Sequence, residues 1–330
     1  MKAFFGILIP ICICSFIAFG ISVAIFGMNI GNVVDSAIDY GESSMDITES
    51  YGSIDLDTAG YTVNLSLSHD NITRIRTYEM DPEKLIVSVD DNELDIDIES
   101  TTIYIGIGEF IGKMKESIQN GWDFSNFSNN GRIDIEVPEK IYKTLDIECG
   151  SGMVSCMNIQ AYTNDIDMGS GTVKLYGTQG FKASTLDVDV GSGKLIVKDV
   201  HPEEYFINIG SGSFEVAGLA GEGFVDMGSG TGVLRFDEFN GDMAIDIGSG
   251  SLTVEVPTDI SADMLAQVGS GSVKVMCGGM NTKLKDDGEL TLGEGEYTID
   301  IDMGSGSVKF MDRTSESAVT TYVVTTDKVA

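Results

Sequence analysis

The tripeptide Gly-Ser-Gly occurs eight times in the second half of this chain, starting at Gly150, Gly169, Gly191, Gly210, Gly228, Gly248, Gly269 and Gly304. Successive copies lie 19, 22, 19, 18, 20 and 21 residues apart, and the last interval is 35. A period near 20 with self-similar flanks marks a stacked repeat, in which each unit buries its apolar face only against its neighbours. Conspicuous residues must therefore be explained first as parts of a rung.

The copies align by content. An apolar residue stands immediately before each tripeptide: Cys149, Met168, Val190, Ile209, Met227, Ile247, Val268 and Met303. Two residues earlier stands another apolar or small one: Ile147, Ile166, Val188, Ile207, Val225, Ile245, Ala266 and Ile301. Between them lie Glu148, Asp167, Asp189, Asn208, Asp226, Asp246, Gln267 and Asp302. After the tripeptide the alternation resumes, as in Val173/Leu175, Leu195/Val197 and Val308/Phe310. The fifth copy alone slips, by what reads as an extra residue in Thr231–Phe236. Period-two alternation rich in β-branched residues predicts strands with one buried face.

Val190 and Leu195 are five positions apart, so an unbroken strand would point them to opposite faces. Both are apolar, so the chain must bend between them. Gly-Ser-Gly is expected to make that corner through positive-φ positions, which glycine adopts without strain. A solenoid rung with a sharp corner and a hairpin with a four-residue Gly-Ser-Gly-X loop both fit. The solenoid is the expected architecture, because in-register stacking gives each apolar column a continuous core, whereas a meander needs barrel closure. The fold class is therefore all-β, a parallel β-solenoid (β-helix) of roughly 20-residue rungs. About ten rungs at roughly 4.8 Å each make a rod on the order of 50 Å.

The solenoid is assigned residues 49–312, with the Gly-Ser-Gly repeats over 145–312 and opening rungs plus an excursion over 49–144. Alternating runs in the opening part are Ser53–Asp57, Tyr61–Leu67, Leu85–Val89, Glu93–Ile98, Thr102–Ile107 and Arg132–Val137. Ala59-Gly60 stands where later copies carry Gly-Ser-Gly and reads as a degenerate first corner. Glu109 to Asn130 breaks the pattern, holds the single tryptophan, Trp122, and is expected to include a short helix over 112–120. The long last interval, Cys277 to Ile299, is the candidate cap for an end that would otherwise expose strand edges. The Ser/Thr-rich stretch 313–330 is expected to be a mobile tail.

No charged residue occurs between Lys2 and Asp35, and residues 3–28 form an apolar run long enough to span a bilayer. One transmembrane helix is expected over 1–30, a retained signal anchor, followed by an acidic juxtamembrane spacer over 31–48. Cleavage after Ser22-Val-Ala24, giving a secreted body, is the alternative. Lys2 before the run orients the N-terminus to the cytoplasm and the body outside. Cys12 and Cys14 lie in the run, and Cys149, Cys156 and Cys277 in the body, too few for a disulfide scaffold. With 52 acidic against 20 basic residues the net charge is −32, which excludes nucleic acid as a partner.

Candidate chemistry is sparse. The Gly-Ser-Gly serines lack the Gly-X-Ser-X-Gly elbow, and neither His69 nor His201 recurs with them. Gly106-Ile-Gly-Glu-Phe-Ile-Gly112 has one residue too many for a dinucleotide fingerprint. No catalytic or cofactor-binding residue is assigned. The acids Glu148, Asp167, Asp189, Asp226, Asp246 and Asp302 would stack into a ladder, where like charges repel. This motivates calcium as a bridging metal over Asp167, Asp189, Asp226, Asp246 and Asp302, against the plainer reading that each carboxylate faces water.

The repeated frame apolar-Asp-apolar-Gly-Ser-Gly-X-apolar-X-apolar resembles the bacterial "putative adhesin" β-strand-repeat family, a domain family of unknown biochemical function. The likeness covers Glu49 to Asp312, including the opening Gly52–Gly60, Val137-Pro138 and the closing Leu292–Gly306. It implies a membrane-tethered surface β-solenoid associated with adhesion or envelope stress, and it supplies no catalytic residues. The expected function is thus a non-catalytic, membrane-anchored scaffold that binds a cell-envelope or surface component. The alternatives are an accessory sensor signalling envelope stress through its span, and a polysaccharide-active β-helix enzyme, which would need convergent carboxylates in a groove.

Overall fold

The computed structural model describes residues 41–99, 131–285 and 287–313. The expected anchor over 1–30, the strand at 102–107, the helix at 112–120 and the tail after Arg313 lie outside the described residues. Among the described residues no helix is long and apolar enough to cross a membrane.

Each rung contributes one strand to each of two sheets. With strands numbered in chain order, sheet I takes β2 (Ser53–Asp57), β6 (Glu93–Ile98), β8 (Ile141–Cys149), β10 (Gln160–Met168), β12 (Ala183–Val190), β14 (Pro202–Ile209), β16 (Glu222–Met227), β18 (Met243–Ile247), β20 (Ala262–Val268) and β24 (Tyr297–Met303). Sheet II takes their partners, β3 (Thr62–Leu67), β7 (Arg132–Val137), β9 (Met153–Met157), β11 (Thr172–Tyr176), β13 (Lys194–Lys198), β15 (Ser213–Leu219), β17 (Thr231–Phe236), β19 (Ser251–Val256), β21 (Ser272–Met276) and β25 (Ser307–Asp312). Neighbouring rungs pair parallel and in register, Val188 beside Ile166 and Leu195 beside Val173, so the hairpin alternative falls. The apolar columns face inward between the sheets, where Ile147, Ile166, Val188, Val173 and Leu195 are fully buried.

The rungs do not stack in chain order at either end. The first rung, β2/β3, lies between β8/β9 and the outer rung β6/β7. The last, β24/β25, lies between β18/β19 and the outer rung β20/β21. Antiparallel strands then cover the exposed edges. At one end these are β4 (Thr73–Tyr78) with β1 (Glu42–Ile47) on sheet II and β5 (Leu85–Asp90) on sheet I. At the other they are β22 (Thr282–Leu284) and β23 (Gly288–Leu292), both from the long last interval. Covering strands of this kind keep a solenoid from pairing edge to edge. Residues 42–47, assigned to the spacer by sequence, are thus part of the sheet.

The corners correct one expectation. No Gly-Ser-Gly glycine has a left-handed φ. The glycines are required because successive corners touch: a Cβ on Gly193 would lie 2.6 Å from the Gly171 carbonyl oxygen, and one on Gly191 3.0 Å from that of Gly169. The backbone ladder runs through the bend, Ser192 N donating to Gly169 O at 2.8 Å and Lys194 N to Gly171 O at 2.9 Å. Ala59-Gly60 stacks in the same way, Ser151 N donating to Ala59 O at 2.9 Å.

The fifth copy does not slip either. Gly232 pairs with Phe214 on one side and Leu252 on the other, so it occupies the apolar column itself. A Cβ there would collide with the Phe214 ring at 2.1 Å. The large side chain of one rung fills the place left empty in the next, which keeps the interior dense. The register irregularity falls instead in β15, between Ala217 and Leu219.

Candidate functional site

The outward acids of sheet I form the ladder expected from the sequence. Glu148, Asp167 and Asp189 are register partners on successive rungs, as are Asp226, Asp246 and Asp302. Asn208 divides the two runs and donates from Nδ2 to Asp189 Oδ2 at 3.2 Å, and Gln267 ends the second. Asp97 and Asp57 extend the column on the other side. A second column runs Asp95, Asp55, Asp146, Asp165, Asp187. Carboxylates packed this way resist ionising. Burial, then the charges of Asp165, Asp55, Glu148 and Glu93, pushes Asp146 up to about 6. Burial and neighbouring acids also raise Asp55, Asp97, Asp165 and Asp246.

The candidate calcium residues Asp167, Asp189, Asp226, Asp246 and Asp302 are all exposed in this column, one per rung. Among the described residues no group of three or more His, Cys, Asp or Glu side chains converges as a metal site would require.

The second acid column changes character at its midpoint, which sequence reasoning missed. The next rungs carry Phe206, Phe224, Ala244, Asp300 and Leu265 in its place. The signal was present: Phe206, Phe224, Ala244 and Leu265 stand where other copies, including Asp300-Ile301-Asp302, carry the first Asp of Asp-X-Asp.

Sheet II has the opposite outward chemistry. Its strands carry Arg74, Arg76, Arg132, Lys174, Lys194, Lys198, Arg235, Lys274, Lys283 and Lys309, whereas Lys143 is the one Lys or Arg in the described strands of sheet I. Several of these cations are neutralised locally. Lys198 Nζ lies 3.1 Å from Glu215, which also meets Arg235, and Arg235 Nε lies 3.0 Å from Glu255. Glu136 is shared by Arg74 at 3.1 Å and Arg76 at 3.0 Å.

The remaining candidates are structural. The Gly-Ser-Gly serines are exposed at the corners. His69 is exposed, and His201 Nδ1 lies 3.5 Å from Asp237 at a turn. Cys149, Cys156 and Cys277 are buried free thiols.

Comparison with solved structures gives distant likenesses. A "putative lipid binding protein" from Parabacteroides distasonis ATCC 8503 is 21% identical, with 83% of this chain and 98% of that one aligned and a TM-score of 0.45. A "putative adhesin" from Parabacteroides merdae ATCC 43184 is 13% identical over 83% and 97%, with a TM-score of 0.49. Another "putative adhesin", from Bacteroides fragilis NCTC 9343, is 15% identical over 82% and 98%, with a TM-score of 0.42. No curated protein matches the chain. The two-sheet stack spans the residues that match a domain of unknown function, Toastrack DUF4097, over 43–310, and the chain belongs to that family.

Proposed function

We propose that this protein is a non-catalytic, adhesin-like binding scaffold of the cell envelope, with residues 3–28 as its membrane tether and the body outside. The observation that carries this reading is the pair of opposite outward faces on one continuous stack. Sheet I offers unpaired carboxylates and an apolar strip, and sheet II offers cations, several of them neutralised by their neighbours. Such a surface suits recognition by complementarity over many rungs, as solenoids generally bind. The outward acids stand one per rung in their columns, where a glycan-cleaving groove would gather two carboxylates about one bond.

The ten described rungs and both sets of covering strands lie in one compact unit, Gly41–Ser100 with Asn130–Ala330, which residues 41–330 carry whole. The test is retention of this segment on cell-envelope preparations, with calcium and with chelator. Saturable retention without release of reducing sugar is expected. Turnover of a wall glycan would replace the proposal with the enzymatic reading, and retention that vanishes with chelator would support calcium on the acid column.

A further inference from the structure

On sheet I the column that runs from Asp95 to Asp187 gives way to apolar side chains on the next rungs. Phe206, Phe224 and Leu265 are 45%, 41% and 43% exposed, unusual for large apolar side chains at the middle of a sheet face. Ala244 sits low between Phe224 and Asp300, with Leu265 on the rung beyond, and two hollows of about 390 and 370 Å³ meet at Ala244 and Asp300. The column spans five rungs, four of them apolar and one, between Ala244 and Leu265, carrying Asp300; its length is roughly 20 Å at about 4.8 Å per rung. An acid row borders it on each side: Glu204, Glu222 and Asp242 on one, Asp226, Asp246 and Asp302 on the other. Among the described residues none of these six meets a cation.

We propose that this strip is the docking site for a basic amphipathic helix of a partner protein, lying along the stack axis. The inference rests on the scaffold reading above and names the partner's chemistry. Side chains on one helix face recur about every 5.4 Å, close to the rung spacing, so each turn meets one rung. Side chains on one face of an extended strand recur about every 6.7 Å and fall out of step after two rungs. About 13 helical residues cover the strip. An apolar ridge would fill the hollows beside Ala244, with Lys or Arg on both flanks over the acid rows. An anionic lipid surface is disfavoured by those same acids. A second copy is disfavoured by the net charge of −32 and by the prior pairing of Lys198, Arg235, Arg74 and Arg76.

The probe is a labelled 14-residue helix of Leu and Lys with one Leu stripe between two Lys flanks, titrated into residues 41–330 by fluorescence anisotropy. Saturable one-to-one binding is expected. A peptide of identical composition with the stripe scrambled should bind at least tenfold more weakly. Phe206→Ser with Phe224→Ser should weaken binding at least tenfold with only a small fall in melting temperature, since neither side chain is in the buried core. Asp226→Asn with Asp246→Asn and Asp302→Asn should weaken it about tenfold at low salt, with most of the difference gone at high salt. Equal binding of the scrambled peptide, or undiminished binding by the phenylalanine variant, would overturn the assignment. So would peptide-free self-association abolished by that variant. If the striped peptide fails to bind while the segment is still retained on envelope preparations, the docking site is wrong and the scaffold reading stands.

Discussion

Gly171 lies directly over Gly152, so close that a Cβ on Gly171 would stand 2.6 Å from the Gly152 carbonyl oxygen. That oxygen cannot retreat, because it accepts the Thr172 amide at 2.9 Å. The same approach recurs at Gly212 over Gly193 (2.6 Å) and Gly230 over Gly212 (2.5 Å). Gly193→Ala or Gly212→Ala should therefore cost about 3 kcal/mol or more, as overpacking against fixed backbone does. Ser192→Ala, which removes an exposed hydroxyl between two such glycines, should change stability by no more than about 0.5 kcal/mol. Urea unfolding of the two variants side by side separates a steric requirement for glycine from a role of the serine. Equal costs would refute the contact explanation.

The acid ladder fixes how stability should vary with pH. Burial, followed by Asp165, Asp55, Glu148 and Glu93, raises the Asp146 carboxyl to about 6 from an ordinary 3.8. The native state then holds this proton more tightly than the unfolded chain does. Its stabilising contribution is complete below about pH 4 and is lost as pH rises through 6. Asp55, Asp97, Asp165 and Asp246 shift the same way. Glu136, held down by Arg76, acts oppositely, but its window lies below the usual carboxylate range. Melting temperature should consequently rise from pH 7.5 to pH 5. Asp146→Asn should add about 1 kcal/mol at pH 7.5, less than the roughly 3 of the full shift because solvent screens the site. The gain should vanish at pH 4, and a gain that persists there would point away from charge.

The three body thiols are expected to be silent. Burial raises Cys149, and it pushes Cys156 and Cys277 up to about 12, so almost no thiolate exists at neutral pH. Residues 41–330 should show no reaction with a thiol reagent in the native state and three reactive thiols in denaturant. Cys156→Ala should cost about 1 kcal/mol, and Cys156→Ser more, because its hydroxyl would be buried at a fully apolar position. Rapid native labelling of any of the three would show that its column opens.

The rungs and their buried columns were legible because alternation and the phase across Gly-Ser-Gly together leave one way to keep Val190 and Leu195 inside. Rung order at the ends was not. Every copy offers nearly the same Ile and Val at each column, so Ile301 fits beside Ile245 or Ala266 alike, and the sequence holds no address. Glycine at the corners was legible, but its cause was misread, since a need for positive φ and a need for close approach select the same residue. Gly232 looked like a slip because its partner, the ring of Phe214, comes from the rung before. On the binding face, Phe206, Phe224 and Leu265 replace an acid in the frame and could have been found by comparing copies.

The interleaved end yields the most discriminating expectation. Asp302 pairs with Asp246 on one side and Gln267 on the other, so the last rung in sequence is an inner rung of the stack. Its backbone is bonded both ways, Gly304 N to Ile247 O at 2.9 Å and Gly269 N to Met303 O at 2.8 Å. A chain ending at Glu296 therefore loses an interior layer, and β18 and β20 face each other across a gap of one rung. Closing it would shift β20, β21, β22 and β23 together by about 4.8 Å. That truncation should abolish the cooperative melt seen in a control ending at Arg313. Starting the chain at Glu49 removes only β1, an edge strand bonded on one side to β4, and should leave the transition cooperative with a small loss of stability. In a stack ordered as in the chain, both truncations would only trim an end and leave the remaining rungs in contact and cooperative. Circular dichroism melts of the three chains distinguish the two orders, because only the interleaved one makes the C-terminal rung indispensable to the rungs before it.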